Sequence, residues 1–304
     1  MSDMKLFRVE GRAVAEMPGR TAGLERDIQR LVEANSEELL GVRFLESEYP
    51  AGQDGGIIDT LGIDENHRPV IIEYKRRSNP NIINQGLSYL NWLMDHRSAF
   101  SLRVRDTYGR EVAEGVDWRN PRLLCIAGGF SKQDTDAVRQ MGRAIDLIRY
   151  ALYDDDVLLL ELAHAAQIER HAAAAAERTP GADPEAPSPL QRLRGQASER
   201  LLQLLQALTE SLLALGEDAR MTEVANYYAF ARMKNFACVR INPQLDRLVV
   251  TVKVDPDTAP LEEGFSRDMR GIGHLGTGDL AIYITDADAL EKAQPLLARS
   301  YEAS

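Results

Sequence analysis

The 304 residues are 44% hydrophobic and 27% charged, with a formal net charge of −11. That length allows two ordinary domains with real cores, while the excess of acid excludes a protein that coats nucleic acid through its whole surface. No apolar run approaches the roughly 18 residues of a membrane span, the N-terminus lacks a secretory leader pattern, and Cys125 and Cys238 stand far apart in apolar stretches. Neither a disulfide framework nor a zinc site is expected, and a reducing, cytoplasmic setting with no membrane partner is.

Residues 1–20 are too few for a domain and predict an extra strand at Lys5–Val9 or an arm. Leu24, Ile28, Leu31 and Val32 then recur at helical spacing, with Glu25, Asp27, Gln29, Arg30 and Glu33 on other faces. Ser36–Leu40 reads as a short helix or turn, and Val42–Pro50 as a first strand. The stretch Ile57–Ile63 and its return at Val70–Lys75 are two apolar, β-branched runs flanking the polar connection Asp64–Pro69, the pattern of a β-hairpin. Charge is oddly placed in it. Asp59 interrupts the first run, and Glu73 and Lys75 close the second. Side chains alternate along a strand, so Glu73 and Lys75 share a face, about 6–7 Å apart along the chain. Ionisable groups at the end of a core strand need partners or a metal.

Beyond the hairpin, Ser78-Asn79-Pro80 is a loop, and Ile82, Ile83, Leu87, Leu90, Leu93 and Met94 predict a helix with Gln85 and Tyr89 on one face. Pro121–Phe130 predicts a short buried strand with a glycine turn. An amphipathic helix is expected through Val138, Met141, Ile145, Leu147 and Ile148, then a strand at Val157–Leu162. The order fits a mixed sheet flanked by helices over residues 21–166. From Asn66 to Arg110 there are eight Lys/Arg against three acids, which predicts a basic neighbourhood beside the hairpin.

The set Asp59, Glu73 and Lys75 across a hairpin resembles the active-site signature of the PD-(D/E)XK nuclease superfamily. Gly56, Val70–Lys75, the basic tail Arg76-Arg77 and the following helix with Gln85 and Tyr89 are most similar to the nuclease domain of NucS-type, mismatch-cleaving endonucleases. The resemblance implies an α/β, restriction-endonuclease-like fold and a Mg²⁺- or Mn²⁺-dependent endonuclease acting on DNA in repair or defence, with a homodimer as its form. Asp59, Glu73 and the backbone carbonyl of Tyr74 would hold the metal, and Lys75 would orient water or stabilise phosphate charge. The resemblance adds Glu25 as a further acid, Gln85 as a positioning group, and Arg76, Arg77 and Tyr89 as nucleic-acid contacts; Glu48 is a further acid at a strand end. The chain departs from the family at Ile57, where Arg is usual. The twenty N-terminal residues also do not match the DNA-binding and dimerisation domain of archaeal relatives, so mismatch specificity is not implied.

Each residue has a plainer reading. Glu73 and Lys75 could be a surface ion pair contributing about 0–1 kcal/mol, although Val70-Ile71-Ile72 reads as a central strand. Asp59 could end a strand, Glu25 could answer the helix dipole, and Arg76-Arg77 could be solvated. A catalytically inactive nuclease fold serving as a nucleic-acid-binding or scaffold protein is therefore the alternative function, and the net negative charge favours it.

Residues 167–190 carry an alanine run and four prolines, and are expected to be a flexible linker. Residues 191–304 predict a small two-layer α+β domain: a leucine-rich helix from Leu193 to Leu213, strands near Tyr227–Ala231, Phe236–Ile241, Leu248–Val254 and Asp279–Ile284, and a terminal helix from Ala287. The phrases Asn235-Phe236-Ala237 and Gly271–Asp279 resemble a domain of unknown function seen in proteins called predicted transport proteins. That likeness implies no chemistry. The glycines of Gly271–Asp279 read as tight turns rather than a phosphate loop, and His274 has no second ligand nearby. No basic or aromatic platform for nucleic acid is legible in this part.

Overall fold

A computed structural model describes residues 4–52, 56–154, 156–164, 187–272 and 276–304. The chain divides into two compact units, Met1–Ile168 and Glu169–Ser304. No helix of the described residues is long and apolar enough to cross a membrane. Most of the proline-rich stretch, and His274, lie outside the described residues.

The first unit begins with a hairpin of β1 (Leu6–Glu10) and β2 (Ala13–Met17), followed by β3 (Gly19–Arg20). Then come α1 (Glu25–Ala34), α2 (Ser36–Leu40), β4 (Val42–Pro50), β5 (Ile57–Asp64) and β6 (Pro69–Lys75). After these run α3 (Ile82–Asp95), α4 (Arg97–Tyr108), α5 (Arg110–Glu114), β7 (Arg122–Ala127), α6 (Lys132–Met141), β8 (Ala144–Tyr153) and β9 (Val157–His164). One mixed sheet holds β3 to β9: β4–β5–β6 pair antiparallel, β6–β7–β8 parallel, and β9 and β3 pair antiparallel with β8.

Alternation along the central strands builds a core on each face. Ile71, Leu123, Cys125, Ile145 and Leu147 pack with α3 and α4 through Ile83, Leu90, Leu93, Phe100 and Val104. Val70, Ile72, Leu124, Ile126, Ile148 and Tyr150 pack on the other face with Ile28 and Val32 of α1. Each such side chain, fully buried, stabilises the fold by about 1.5–3 kcal/mol. The helices thus lie on both faces of a mixed sheet, as expected.

Two expectations fail here. The helix read through Ile148 stops at Met141, because Gly142 takes a left-handed φ of 58° and ends it. Ile145, Leu147 and Ile148 belong instead to β8, where Ile145 and Leu147 face one core and Ile148 the other. The basic neighbourhood also disperses. Arg68 is buried against Asp64, and Arg103, Arg105 and Arg110 meet Glu46, Asp106 and Glu114. Only Lys75, Arg76 and Arg77 stand at the end of β6.

The second unit has α7 (Pro189–Gln196), α8 (Glu199–Leu213), β10 (Arg220–Glu223), β11 (Tyr228–Ala231), β12 (Asn235–Asn242), β13 (Arg247–Val252), β14 (Ser266–Asp268), β15 (Leu280–Ile284) and α9 (Ala287–Glu302). The sheet is antiparallel throughout, in the order β10-β11-β12-β13-β15-β14. The expected single leucine-rich helix is broken at Ala197-Ser198, where the Ser198 hydroxyl accepts the Leu201 N–H and starts α8. The linker ends earlier than residue 190, since α7 starts at Pro189 and Leu190 is buried in this unit's core. Turn geometry accounts for Gly271, Gly276 and Gly278, all at positive φ; a Cβ on Gly278 would lie 2.5 Å from the Val252 backbone.

Candidate functional site

The β5–β6 ladder runs from Ile63–Pro69 to Thr60–Ile72 and stops there. Past that pair the strands are held by side chains. The Asp59 N–H donates to Glu73 Oε1 at 3.3 Å, and the Tyr74 N–H donates to Asp59 Oδ2 at 3.0 Å. The two acids therefore occupy the fork between the strands. Their environments differ: Glu73 is 0% exposed, whereas Asp59 is partly open.

Glu73 Oε2 is buried and has no hydrogen-bond partner among the described residues. An unsatisfied buried oxygen of this kind costs about 1–3 kcal/mol or more for a charged group, so its retention calls for an explanation. Burial, and then the nearby Asp59 charge, push the Glu73 carboxyl up to about 8. Asp59 is also raised, chiefly by burial, with the Tyr74 N–H and Lys75 opposing. Without a cation, the pair shares less than two full charges at neutral pH.

Lys75 closes the other side. Its Nζ donates to Glu25 Oε1 at 2.9 Å and to the Tyr74 carbonyl at 2.7 Å. Burial works against its charge, but the Glu25 hydrogen bond and the Asp59 charge outweigh that, and the amine is held above its usual range. Lys75 is therefore an ammonium, suited to anion contact rather than to proton abstraction. Glu25 receives the Arg76 N–H on its second oxygen at 3.1 Å, so its carboxylate is engaged by Lys75 and the backbone beyond β6.

Other predicted residues fall around this centre. Gln85 Nε2 donates to the Tyr89 hydroxyl at 3.1 Å, and Tyr89 is buried against Gly56, where a Cβ would come within 2.3 Å of that hydroxyl. Any larger residue there would have to displace the Tyr89 hydroxyl. Gln85 and Tyr89 are thus joined to each other, and no bond links them to the acids. Arg76 turns its guanidinium to the Gly23 carbonyl at 3.0 Å, and its own carbonyl accepts the Tyr150 hydroxyl. Arg77 is exposed. Glu48 lies on the surface, paired with Arg26 at 2.8 Å.

Two residues of α1 escaped the sequence reading. Gln29 is buried and donates to the Asp59 carbonyl at 3.0 Å, to Ser47 and to Glu33. Glu33 accepts the Thr60 hydroxyl at 2.5 Å. Glu25, Gln29 and Glu33 are spaced by four, so one polar stripe of α1 lies along the hairpin. That spacing was the available signal.

Among the described residues no three His, Cys, Asp or Glu side chains form a ready metal cluster. The donors available to a hard cation are the Asp59 carboxylate and the free Glu73 oxygen, with the Tyr74 carbonyl bonded to Lys75. Two carboxylates fit Mg²⁺, which commonly keeps several waters and takes only one or two protein carboxylates.

Residues 192–304 match the family described as "Domain of unknown function (DUF5655)". An "Uncharacterized protein" of Haemophilus influenzae is 26% identical over 304 residues, covering 97% of this chain and 98% of its own. Two solved structures are similar in part. One is the crystal structure of a repair endonuclease from Pyrococcus abyssi, with 19% identity and a TM-score of 0.30 over 45% of this chain and 50% of that one. The other is a complex of EndoMS with double-stranded DNA, with 20% identity and a TM-score of 0.26 over 47% and 49%. The likeness thus spans about half the length of each of those structures.

Proposed function

We propose that the first unit is a divalent-metal-dependent nuclease that hydrolyses DNA phosphodiester bonds at the fork of β5 and β6. The observation that carries this reading is the unpartnered, fully buried Glu73 oxygen beside Asp59, with the Lys75 ammonium adjacent. The choice of DNA follows from the resemblance of this motif to PD-(D/E)XK nucleases, and the homodimer rests on that likeness alone. Asp59 and Glu73 would hold Mg²⁺ or Mn²⁺. When bound, such an ion supplies phosphate charge neutralisation and an activated water.

The chain's own groups do the rest. Glu25 fixes the Lys75 ammonium at the open end of β6, where it balances charge on a bound phosphate. Gln29, bonded to the Asp59 carbonyl, holds β5 against α1 and keeps the Asp59 backbone in place. Arg77, exposed beside the site, is available for a backbone phosphate.

One observation favours the second reading, a nuclease-fold protein that binds nucleic acid or serves as a scaffold without cleaving. Lys75 already bridges Glu25 and the Tyr74 carbonyl, which leaves only two acids for a cation. A cleavage screen over single-stranded, branched and mismatched DNA with Mg²⁺ or Mn²⁺ separates the two. The nuclease reading expects cleavage that falls at least about 100-fold in Asp59→Asn and Lys75→Met, with unchanged thermal melting. Full activity in either variant sinks it, and metal-independent binding without cleavage moves the assignment to the scaffold.

A further inference from the structure

In the second unit, alternation sends Phe230, Val239, Ile241, Val250 and Ile282 into the core beneath the three helices. The intervening side chains project from the opposite face. Arg240 on β12 is paired with Val249 on β13, and Val249 with Tyr283 on β15, so the three form a row across neighbouring strands. Arg247, two residues before Val249, lays its guanidinium over the Tyr283 ring, 3.9 Å from the centroid. Arg267, on the edge strand β14, is paired with Ala281, two residues from Tyr283.

This face is basic, contrary to what the linear sequence suggested. From 192 to 304 there are sixteen Asp/Glu against thirteen Lys/Arg, yet no acid occupies the positions of β11, β12, β13 and β15 that share the face. Among the described residues Arg240 and Arg267 meet no acidic partner, and Arg247 Nε is buried without an acceptor. The arginines lie far apart in sequence, and only strand register brings them together. Cationic side chains around a half-exposed aromatic ring, at the end of a sheet face whose next row (Cys238, Thr251 and Ala281) is buried, are the elements of a single-strand platform. The ring stacks on unpaired bases, and the guanidinium groups take the phosphates. A duplex hides its base faces and would leave Tyr283 without a partner.

We propose that this face of the C-terminal sheet binds single-stranded DNA, with Tyr283 and the stacked Arg247 under the bases and Arg240 and Arg267 on the phosphates. The choice of DNA over RNA rests on the nuclease reading of the first unit; the binding chemistry does not. The test is fluorescence anisotropy of the full chain with a labelled oligothymidylate of about twenty nucleotides, in EDTA so that cleavage cannot intervene. Wild type binds with a clear salt dependence. Arg240→Glu and Arg267→Glu each weaken binding about fivefold or more and reduce the log–log salt slope by about 0.7. Tyr283→Leu weakens it about tenfold with the slope unchanged. Arg267 is exposed on an edge strand, so its variant reports binding even if Arg240→Glu fails to fold. Flat anisotropy for wild type, or binding indifferent to Arg267→Glu, overturns the proposal; tighter binding of oligouridylate overturns the choice of DNA. The cleavage screen on wild type separates the two readings. Absent cleavage with intact, Arg267-dependent binding defeats only the nuclease reading. Cleavage with Arg267-independent binding defeats only this one.

Discussion

The two ends of the β5–β6 hairpin both bury charge, and they treat it in opposite ways. At the turn end, Asp64 accepts from Arg68 at 2.7 Å and from Arg122 at 3.2 Å, and Arg122 reaches Asp146 at 2.7 Å. All four are at least nine-tenths buried, and the two acids alternate with the two guanidinium groups. Burial alone would raise Asp64, but Arg68 and Arg122 hold it below its ordinary range. At the fork end, Glu73 is equally buried, one of its oxygens has no partner, and its carboxyl is raised to about 8. A closed ionic circuit marks scaffold. The open one is the end at which the proposed metal would sit.

The largest effect on stability is expected from opening the closed end. Arg122→Met strips Asp146 and Asp64 of a shared guanidinium and should cost about 3–5 kcal/mol in urea unfolding at neutral pH. A loss under 1 kcal/mol would mean that the circuit is ornamental and that the contrast has no energetic basis.

The next test addresses the open end. The folded Glu73 carboxyl, at about 8, binds its proton more tightly than the unfolded one at 4.5. Its contribution is therefore complete below pH 4.5 and is lost as pH rises through 8, by up to about 1.4 kcal/mol per pH unit. Asp64 has the opposite sign: its folded value lies below 3.8, so its contribution is present above 3.8 and disappears as pH falls through the folded value. Glu73→Gln cannot ionise and should match wild type near pH 4.5 while exceeding it by about 1–3 kcal/mol at pH 8.5. Equal melting at both pH values would show that Glu73 is already satisfied.

The smallest effect belongs to a charge pair outside both ends. Arg26 and Glu48 are exposed, and Arg26→Ala should shift unfolding by no more than about 1 kcal/mol. A larger loss would show that ion pairs matter here regardless of burial.

The open end was more legible in the sequence than the closed one. Asp59, Glu73 and Lys75 stand out because Asp59 interrupts one apolar, β-branched run and the other two close the next, and period-two alternation places them without knowledge of the fold. Asp64 and Arg68 sit in a stretch with ordinary turn composition, while Arg122 lies 58 residues from Asp64 and 24 from Asp146. No local pattern joins them. Helix α4 was missed for a related reason: only Phe100 and Val104 are buried, too few to make a stripe. The segment after Gly142 failed because Ile145, Leu147 and Ile148 satisfy helical and strand spacing alike. The basic sheet face needed the register of β12, β13, β14 and β15, which composition does not encode.

The separation of charge in the second unit also bears on encounter kinetics. With arginines gathered on one sheet face, the second unit carries a local cationic patch on a chain that is a net anion. A polyanion feels repulsion from afar and a turning force close in, so productive collisions are selected by orientation before contact. Screening shortens both fields, to about 8 Å at physiological ionic strength. Salt thus relieves the long-range repulsion while weakening the local pull, and the association rate responds to both at once.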